Sequence, residues 1–466
     1  MDVMQILKDP QTYFASLSRP PVELFCRQLL DLQQQSQVSA QQLKALQADK
    51  GVIARQFKHA QDDPDATDRL KLQMQQVARS VAQAEAAFKA VLQQAVRLVQ
   101  DQAPKAAPPL PSRFTRKLAD YGKAAQFRWI QDPQDPIWRA FVEQQAEYAS
   151  VYHLPAVQTA IQTAFGHSSK ILLAVDQGAV IGGLPLTLVR SRLFGQHAVS
   201  VPFFNYGGPL TAYRDIAEQL IEQSRTALAA DTLEQIEIRT TLQGLPFPCY
   251  DKKVSMLRRL PALDAELDVE LGAKVRAQVN KALAHAPSVR FGGAELLADF
   301  YRVFARNMRD LGTPVYGKNW FAQLLAAQDL NTTLVVCYIK GRPVSVGFLL
   351  GHQGVLEIPW ASTLRSANGL NINMWMYRQI LTRAIAEGYG YFDFGRSTQG
   401  ASTHKFKKQW RALPVPHYWY YQTPTGTVLA ANSPDNPKFK LLIAIWQKMP
   451  IWLTKLIGPP IVKYIP

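Results

Sequence analysis

The residues best suited to chemistry lie late in the sequence, in GYGYFDFGRSTQG at 388–400 and in HKFKKQW at 404–410. The carboxylate of Asp393 is the candidate general base, because Asp and Glu can take a proton from a reacting group. The same carboxylate also suits a structural role, buried against Arg396 or capping the loop that follows the strand.

Two cations and two aromatic residues follow Asp393. Arg396 and Lys407 can bind phosphate, while Phe406 and Trp410 are four residues apart on a helix or tight turn. Such a group suits a phosphate-bearing ligand with a flat moiety. It equally suits a basic helix face that is anchored by two core aromatic residues.

Several mechanisms are excluded by missing partners. The Asp-Phe-Gly triplet would hold magnesium in a protein kinase, but the Gly-rich loop, the strand lysine and the HRD-type loop are missing. FGHSSK lacks the first glycine and the Gly-Lys pair of a phosphate-binding P-loop. The eight histidines and three cysteines show no metal-ligand spacing, so the sequence predicts no metal.

Three further clusters are candidate binding segments. Lys274 and Arg276 in GAKVRAQVNKALAHA could bind phosphate or belong to a solvated helix face. Tyr316 lies in a Gly- and Pro-containing loop, which could line a pocket or form a packed surface turn. Trp360 in EIPWASTLR ends a strand beside a predicted crevice, as a core residue or as a ligand platform.

The elements that must position these residues occur twice. Two strands joined by a turn, a third strand, a helix and a further strand follow each other after residue 170 and again after residue 332. A shift of 157 residues carries Pro202 onto Pro359 and Arg239 onto Arg396. This order predicts an internal duplication, hence two α/β domains with a crevice where the crossover strands part.

The second helix of this kind follows LRSANGLN at 364–371. A helix N-terminus presents free N–H groups and a partial positive charge, so it could hold a diphosphate or a carboxylate. Arg365 before the helix and Asn373 in its first turn are candidate donor-binding residues. An ordinary polar turn is the alternative interpretation.

The beginning of the chain predicts a helical hairpin over residues 1–100. Apolar residues repeat at heptad spacing, which indicates an a/d seam: Leu70, Met74, Val77, Val81, Ala84, Phe88, Val91, Ala95 and Leu98. In QDDPDATD, Pro64 is expected to end the first helix and Thr67 or Asp68 to cap the next. A Pro/Ala linker is predicted at 101–114.

Several of these segments together resemble the FemAB-related proteins of the type associated with exosortase and exopolysaccharide systems. The similarity covers roughly residues 115–466, and it is carried by SVPFFNYGGPL, KVRAQVNKA, NMRDLGTPVYGKNWF, EIPWASTLR, LNINMWMYRQILTRAIAEGYGYFDFGRST and HKFKKQW. The resemblance implies two tandem GNAT-like domains, similar to Fem aminoacyltransferases and to BioF-like and CelD-like acetyltransferase domains. It implies acyl transfer to an amine, in which orientation and oxyanion stabilisation supply the catalysis.

The resemblance also assigns residues, by three family motifs: Phe406, Lys407 and Trp410; Tyr391, Asp393, Phe394 and Gly395; Lys274, Arg276 and Val279. In Fem enzymes the lysine of the first motif lies near the donor and acceptor phosphates. The GNAT pyrophosphate loop is missing from STLRSANGLN, so the donor stays open between acyl-CoA and aminoacyl-tRNA. The catalytic candidates are Asp393 and Lys407.

The expected domains are a first GNAT-like domain at 115–262, a second at 263–425 with the acyl-transfer crevice, and a basic amphipathic tail at 426–466. The net charge of +16 favours polyanionic partners such as tRNA, phosphorylated substrates or anionic lipid. The tail could lie on an anionic membrane or pack on its own domain.

The predicted function is N-acyl or aminoacyl transfer to a cell-envelope or exopolysaccharide precursor. A non-catalytic assembly factor that docks or dimerises through the hairpin is the alternative. MDVMQILKDPQ lacks the pattern of a signal peptide, and no run of about 18 apolar residues occurs, so a cytoplasmic protein is expected, peripheral at the inner face of the membrane if the tail binds lipid.

Overall fold

The computed structural model describes residues 3–10, 23–59, 64–101, 110–115, 118–192, 194–424 and 437–465. Contacts divide the chain into two units. The first holds residues 1–106 with 262–265, and the second holds 107–261 with 266–466. The predicted linker lies mostly outside the described residues, and the predicted domain boundaries stay a prediction.

The first unit is the predicted hairpin. Helices α2 (Glu23–His59) and α3 (Pro64–Asp101) pack along each other, and the short α1 (Val3–Lys8) packs on both. All nine seam residues of α3 are buried or half-buried, which confirms the heptad interpretation. The prediction for Pro64 was wrong, because Pro64 begins α3. Proline suits the first helical position, where its missing N–H has no intrahelical partner.

The first half of the second unit is one repeat. Its elements are α4 (Ser112–Thr115), β1 (Gln126–Ile130), α5 (Pro136–Gln144), α6 (Pro155–Phe165), β2 (Ser168–Asp176), β3 (Ala179–Ser191), β4 (Gly195–Val199), β5 (Leu210–Thr211), α7 (Arg214–Ser224), α8 (Thr226–Ala230), β6 (Gln235–Thr240) and β7 (Cys249–Arg259). Gln177 and Gly178 both have positive φ, as the predicted hairpin turn between β2 and β3 requires.

The second half repeats this order. Its elements are α9 (Asp264–Glu270), α10 (Ala273–Leu283), β8 (Ser288–Gly292), α11 (Leu297–Leu311), α12 (Lys318–Ala326), β9 (Asn331–Ile339), β10 (Arg342–His352), β11 (Val355–Thr363), α13 (Ile372–Ala386), β12 (Tyr391–Thr398), α14 (Ser402–Lys408) and β13 (Leu413–Gln422). From β1 and from β8 onward, apart from the short β5, α8 and α14, each repeat runs strand, two helices, three strands, helix, strand, strand. The mixed α/β fold class and the tandem arrangement are confirmed.

The strands form one continuous sheet in which the repeats exchange their last strands. Among the described residues the order is β1-β2-β3-β4-β6-β13-β7-β12-β11-β10-β9-β8, with β5 beside β3. Thus β7 lies beside β12 of the other repeat, β13 lies beside β6, and β7 and β13 pair at the centre. Neither repeat can complete its sheet alone, because the final strand of each comes from the other.

The parallel strand pairs explain the sequence shift. In the first repeat Val199 pairs with Glu237, and in the second Glu357 pairs with Asp393. From Val199 to Glu357 the shift is 158 residues, and from Glu237 to Asp393 it is 156 residues. The shift of 157 residues seen in the sequence lies between these two values. The structure therefore supports the duplication at the level of strand register.

The repeats also share a core. An aromatic cluster on one side of the sheet joins α6 and the loop after β4 with α11 and α12. The other side of the second repeat is filled by α10 and α13. The third strand, β4, ends at Val199, and residues 201–209 form a buried loop.

The end of the chain forms α15 (Pro437–Lys448) and α16 (Ile451–Val462), which contact α11. Thr454, Gly458 and Val462 are buried at one-turn spacing and form the inner face of α16. The described part of the tail thus packs on its own domain, and membrane binding by its remaining surface stays a prediction. Within the described part of the chain, no helix is both long enough and apolar enough to span a membrane.

Candidate active site between β11 and β12

The candidate site lies where two parallel strands separate. Glu357 of β11 and Asp393 of β12 form the last pair of the parallel ladder. Beyond this point β11 continues beside β10, and β12 continues beside β7. Separating strands leave a crevice at the sheet, which is where ligands bind in open α/β folds.

Gly395 shapes this separation. Its φ of +75° lies in the left-handed region, and a Cβ at this position would stand 2.9 Å from the backbone oxygen of Ile358. The register between β12 and β7 shifts between Asp393 and Arg396, as a bulge requires. Gly395 therefore bends the strand within the sheet, and β12 runs on to Thr398.

Glu357 and Asp393 are two buried carboxylates side by side. Glu357 is 4% exposed and Asp393 is fully buried. Burial raises the pKa of both carboxyls, and the charge of Asp393 raises the pKa of Glu357 further. A buried carboxyl beside another buried carboxylate resists ionisation, so the two carboxyls titrate as a coupled pair.

Lys407 is the cation that faces this pair. Its Nζ donates to the carbonyl oxygens of Gly395 at 2.9 Å and Arg396 at 2.8 Å, which fastens α14 to the bulge of β12. Burial lowers its pKa to about 8, while Asp393 and Glu357 act in the opposite direction. In turn, the charge of Lys407 lowers the pKa of both carboxyls.

The first repeat completes the site. Asn205, in the buried loop after β4, donates its amide N–H to Glu357 at 3.1 Å. The Tyr152 hydroxyl faces the same carboxyl and lowers its pKa. Phe203 in this loop has a φ of +70°, a conformation that costs a bulky residue about 1–3 kcal/mol. Packing against Phe165, with ring centroids 4.4 Å apart, offsets that strain.

A second feature lies at the seam where the repeats exchange strands. The guanidinium carbons of Arg239 and Arg396 lie 4.4 and 5.4 Å from the Trp419 ring centroid. Arg239 is satisfied by Glu237 and by the Phe204 carbonyl. Arg396 keeps exposed surface, yet dense protein around it and the neighbouring Arg239 lower its pKa to about 10.

Arg396 thus reaches solvent in a densely packed part of the seam, which we call the recess. The half-buried Tyr316 belongs to the same recess, because both arginines act on its pKa. Among the described contacts, Arg396 forms no ion pair within 4 Å, and its guanidinium lies over the Trp419 ring. The charge of Glu237 acts on it from farther away and raises its pKa. An accessible guanidinium that no carboxylate contacts directly can bind an anion.

The remaining predicted binding residues lie elsewhere. Lys274 and Arg276 are exposed on α10, and Arg276 donates to the carbonyls of Asp268 and Leu271. Arg365 is exposed and donates to the carbonyl of Asp310. The structure thus brings Asp393, Lys407, Arg396 and Tyr316 together at the centre and leaves these three cations outside it.

The predicted aromatic platform is packed into the protein. Trp410 is fully buried and Phe406 partly buried, both against Tyr377 of α13. Trp360 is 9% exposed and belongs to the aromatic cluster of α11 and α12. The alternative of a core role, open for all three residues from the sequence, is the one that their packing favours.

Two residues of the site were missed by the sequence reasoning. Glu357 lies in the apolar strand VLEIPW, and a carboxylate inside a buried strand is the signal that could have pointed to it. Asn205 gave no local signal, because its partner Glu357 is 152 residues away.

The entrance of α13 does not match a GNAT pyrophosphate loop. Residues 365–370 form a 3₁₀ turn, Asn371 has a φ of +56°, and the Asn373 side chain accepts from the next backbone N–H. This turn lacks the glycine spacing of that loop. Among the described residues, no three His, Cys, Asp or Glu side chains lie close enough to hold a metal ion.

Comparison with known families defines the class. Residues 273–408 match the family model described as an acetyltransferase (GNAT) domain. This range contains Glu357, Asp393 and Lys407, as well as β8 to β12 with α13. The chain therefore carries a GNAT acyltransferase domain and is a transferase of that class.

Solved structures with a similar fold include three of interest. FemX is 12% identical, with a TM-score of 0.49, over 68% of this chain and 100% of FemX. A tandem GNAT protein from the clavulanic acid biosynthesis pathway is 10% identical, with a TM-score of 0.45, over 66% and 100%. A putative lysylphosphatidylglycerol synthetase domain from Agrobacterium fabrum is 10% identical, with a TM-score of 0.42, over 58% and 88%. No curated protein matches the chain.

Proposed function

We propose that the second repeat transfers an acyl or aminoacyl group to an amine, and that the Glu357–Asp393 pair is the base. The single observation that supports this most is the buried pair itself, placed where β11 and β12 separate. An amine acceptor is protonated at neutral pH and must lose a proton before it attacks. A carboxyl pair with a raised pKa is matched to that proton transfer.

The proposed reaction joins the acceptor nitrogen to the acyl carbon and releases the donor's leaving group. The ammonium group of the acceptor gives one proton to the anionic carboxyl pair, and the nitrogen lone pair forms a C–N bond to the acyl carbonyl carbon. The bond from that carbon to the donor's ester or thioester atom breaks, and the leaving group takes the second proton that the acceptor nitrogen loses. Lys407 keeps the pair partly ionised before the transfer and stabilises the negative charge nearby.

We further propose that the recess at Arg396 and Tyr316 binds an anionic part of a substrate. The unpaired guanidinium and the flanking Trp419 suit a phosphate or carboxylate beside an apolar group. The donor stays open between acyl-CoA and aminoacyl-tRNA. A phosphorylated envelope or exopolysaccharide precursor as the acceptor, used at the inner face of a membrane, is consistent with the net charge of +16.

The test compares Asp393→Asn, Glu357→Gln and the wild type. Donors that copurify are identified by mass spectrometry, and amide formation from that donor class is measured against pH. Each variant is expected to lose about 10²- to 10⁴-fold in rate, as for removal of a general base. In Asp393→Asn the acid limb should also move to lower pH, because a charge that raises the pKa of Glu357 is gone.

Glu387→Gln is the matched control, since Glu387 lies on the surface of α13 in an ion pair with Arg383. Its rate should equal that of the wild type. Wild-type rates in both carboxyl variants, with the fold intact, would remove the base from the proposal.

The hairpin supports a second proposal, in which α2 and α3 form a docking arm. Val38 and Leu72 are large apolar residues that remain more than half exposed on these helices. Exposed apolar residues on a coiled coil suit a partner helix. This docking role is compatible with acyl transfer by the second repeat. A protein that had the docking role without the transfer reaction would be the non-catalytic assembly factor.

A further inference from the structure

A cleft of about 710 Å³ lies between α11, the start of α12 and α16, outside the candidate active site. Its lining includes four basic residues, Arg302, Arg306, Lys318 and Lys455. Leu364, Ile451 and Pro459 add apolar walls. Cations and apolar surface in one cleft suit a ligand with both an anionic group and an apolar part.

The charges of this cleft are mostly uncompensated. Arg302 lies 3.5 Å from Asp299, and Lys455 lies over the Tyr301 ring with its Nζ 5.5 Å from the centroid. Arg306 and Lys318 are exposed, and the described contacts give neither of them a carboxylate partner. Four cations facing one nearby carboxylate leave a positive site for phosphate.

The tail, which lines one side of the cleft, also has large apolar residues that are exposed to solvent. Trp452 is 67% exposed and Leu456 is 65% exposed, one turn apart on the outer face of α16. Leu442 and Ile445 on α15 are also exposed, at 59% and 46%. We call these four residues the apolar face.

This exposure does not come from loose packing of the tail. Gly458 on the inner face of α16 approaches Val315 so closely that a Cβ would stand 3.0 Å from its backbone N. Arg309 of α11 donates to the carbonyl of Met449 at 3.2 Å, between the two tail helices. The protein thus holds the inner face against the domain and presents the apolar face to the outside.

We propose that the cleft and the apolar face together bind the surface of an anionic lipid bilayer. The basic residues take a lipid phosphate, while Trp452 and Leu456 enter the boundary between headgroups and acyl chains. Residues 437–466 contain no Asp or Glu, which matches a negative surface. This proposal uses no residue of the candidate active site and stands independently of the transfer reaction.

The exposed apolar face favours a lipid surface, rather than a soluble phosphate, as the ligand of the cleft. A phosphate ion or a sugar phosphate would use the cations alone and would leave four large apolar side chains in water. Tryptophan at the rim of a basic patch is typical of the membrane interface, because its ring tolerates the boundary between apolar and wet surroundings.

The test is co-sedimentation of the full chain with vesicles of phosphatidylcholine, alone or mixed equally with phosphatidylglycerol. The wild type should pellet with the mixed vesicles and stay in solution with phosphatidylcholine alone. Arg306→Glu with Lys318→Glu should weaken binding by about 25-fold or more, since each basic residue near an anionic surface contributes about five-fold. Trp452→Ser with Leu456→Ser should weaken it by about tenfold.

Lys281→Glu and Leu283→Ser on α10 are the matched controls, because both residues are exposed and lie outside the cleft and the tail. They should bind as the wild type does. The proposal is overturned if the wild type fails to pellet with anionic vesicles, or if the cleft and tail variants pellet equally with it. Complete displacement by soluble glycerol phosphate would also overturn it and would leave a phosphate site in its place.

Discussion

Replacing Lys407 by methionine removes the charge that faces the carboxyl pair and shortens the unbranched side chain by one heavy atom. Two carbonyl oxygens, of Gly395 and Arg396, lose their donor, which costs about 1–3 kcal/mol each. Against this, the lowered pKa of Lys407, about 8, means that burial costs the ammonium group about 3 kcal/mol. The lost hydrogen bonds cost about 2–6 kcal/mol in total and the relieved burial returns about 3, so the free energy of unfolding should fall by about 3 kcal/mol at most.

The effect on transfer should be much larger. Lys407 lowers the pKa of both carboxyls, so its loss raises both and leaves the pair more fully protonated at neutral pH. The rate at pH 7 should fall about 100-fold, and the acid limb of the pH profile should move to higher pH. Urea unfolding measures the first quantity, and product formation against pH measures the second.

Lys408→Met is the control, because Lys408 is the exposed neighbour on the same helix. It should change the unfolding free energy by less than about 0.5 kcal/mol and leave the pH profile unchanged. A folded Lys407→Met protein with the wild-type acid limb would refute the electrostatic role of Lys407.

Two further predictions concern the fold and the hairpin. In urea unfolding, Gly395→Ala should lower the free energy of unfolding by about 2 kcal/mol more than Gly400→Ala. Both glycines have positive φ, but only at Gly395 would a Cβ meet a backbone oxygen, at 2.9 Å. Equal losses of unfolding free energy would show that the close approach of β11 and β12 is unimportant. Deleting residues 1–101 should leave the second unit folded and its transfer rate unchanged, as measured by calorimetry and a rate assay. Loss of activity in a folded truncated protein would favour the assembly role of the hairpin.

Much of the fold was predictable because its signals are local. The heptad seam from Leu70 to Leu98 and the order of strands and helices in the repeats depend on residues a few positions apart. The shift from Pro202 to Pro359 showed the duplication for the same reason, since each copy keeps its own local pattern. Errors occurred at boundaries such as Pro64 and the end of β4, where packing decides which residue ends an element.

The candidate site was only half predictable. The sequence alone could connect Asp393 with Lys407, because the motif that holds Lys407 follows closely. Phe406 and Trp410 in the same motif have the aromatic character of a ligand platform, but only their burial against Tyr377 favours a core role. Residue type states what a side chain can do, whereas only the tertiary structure shows which neighbours it packs against.

By itself, the sequence determined the hairpin, the two α/β repeats and the position of the Asp393 motif on the last crossover strand. Only the tertiary structure decided that Glu357 lies beside Asp393, that Asn205 of the other repeat donates to it, and that the repeats exchange their last strands. The physical reason is separation along the chain. Burial and the coupling of two carboxyls arise when residues far apart in sequence are brought together, and no local pattern encodes that neighbourhood.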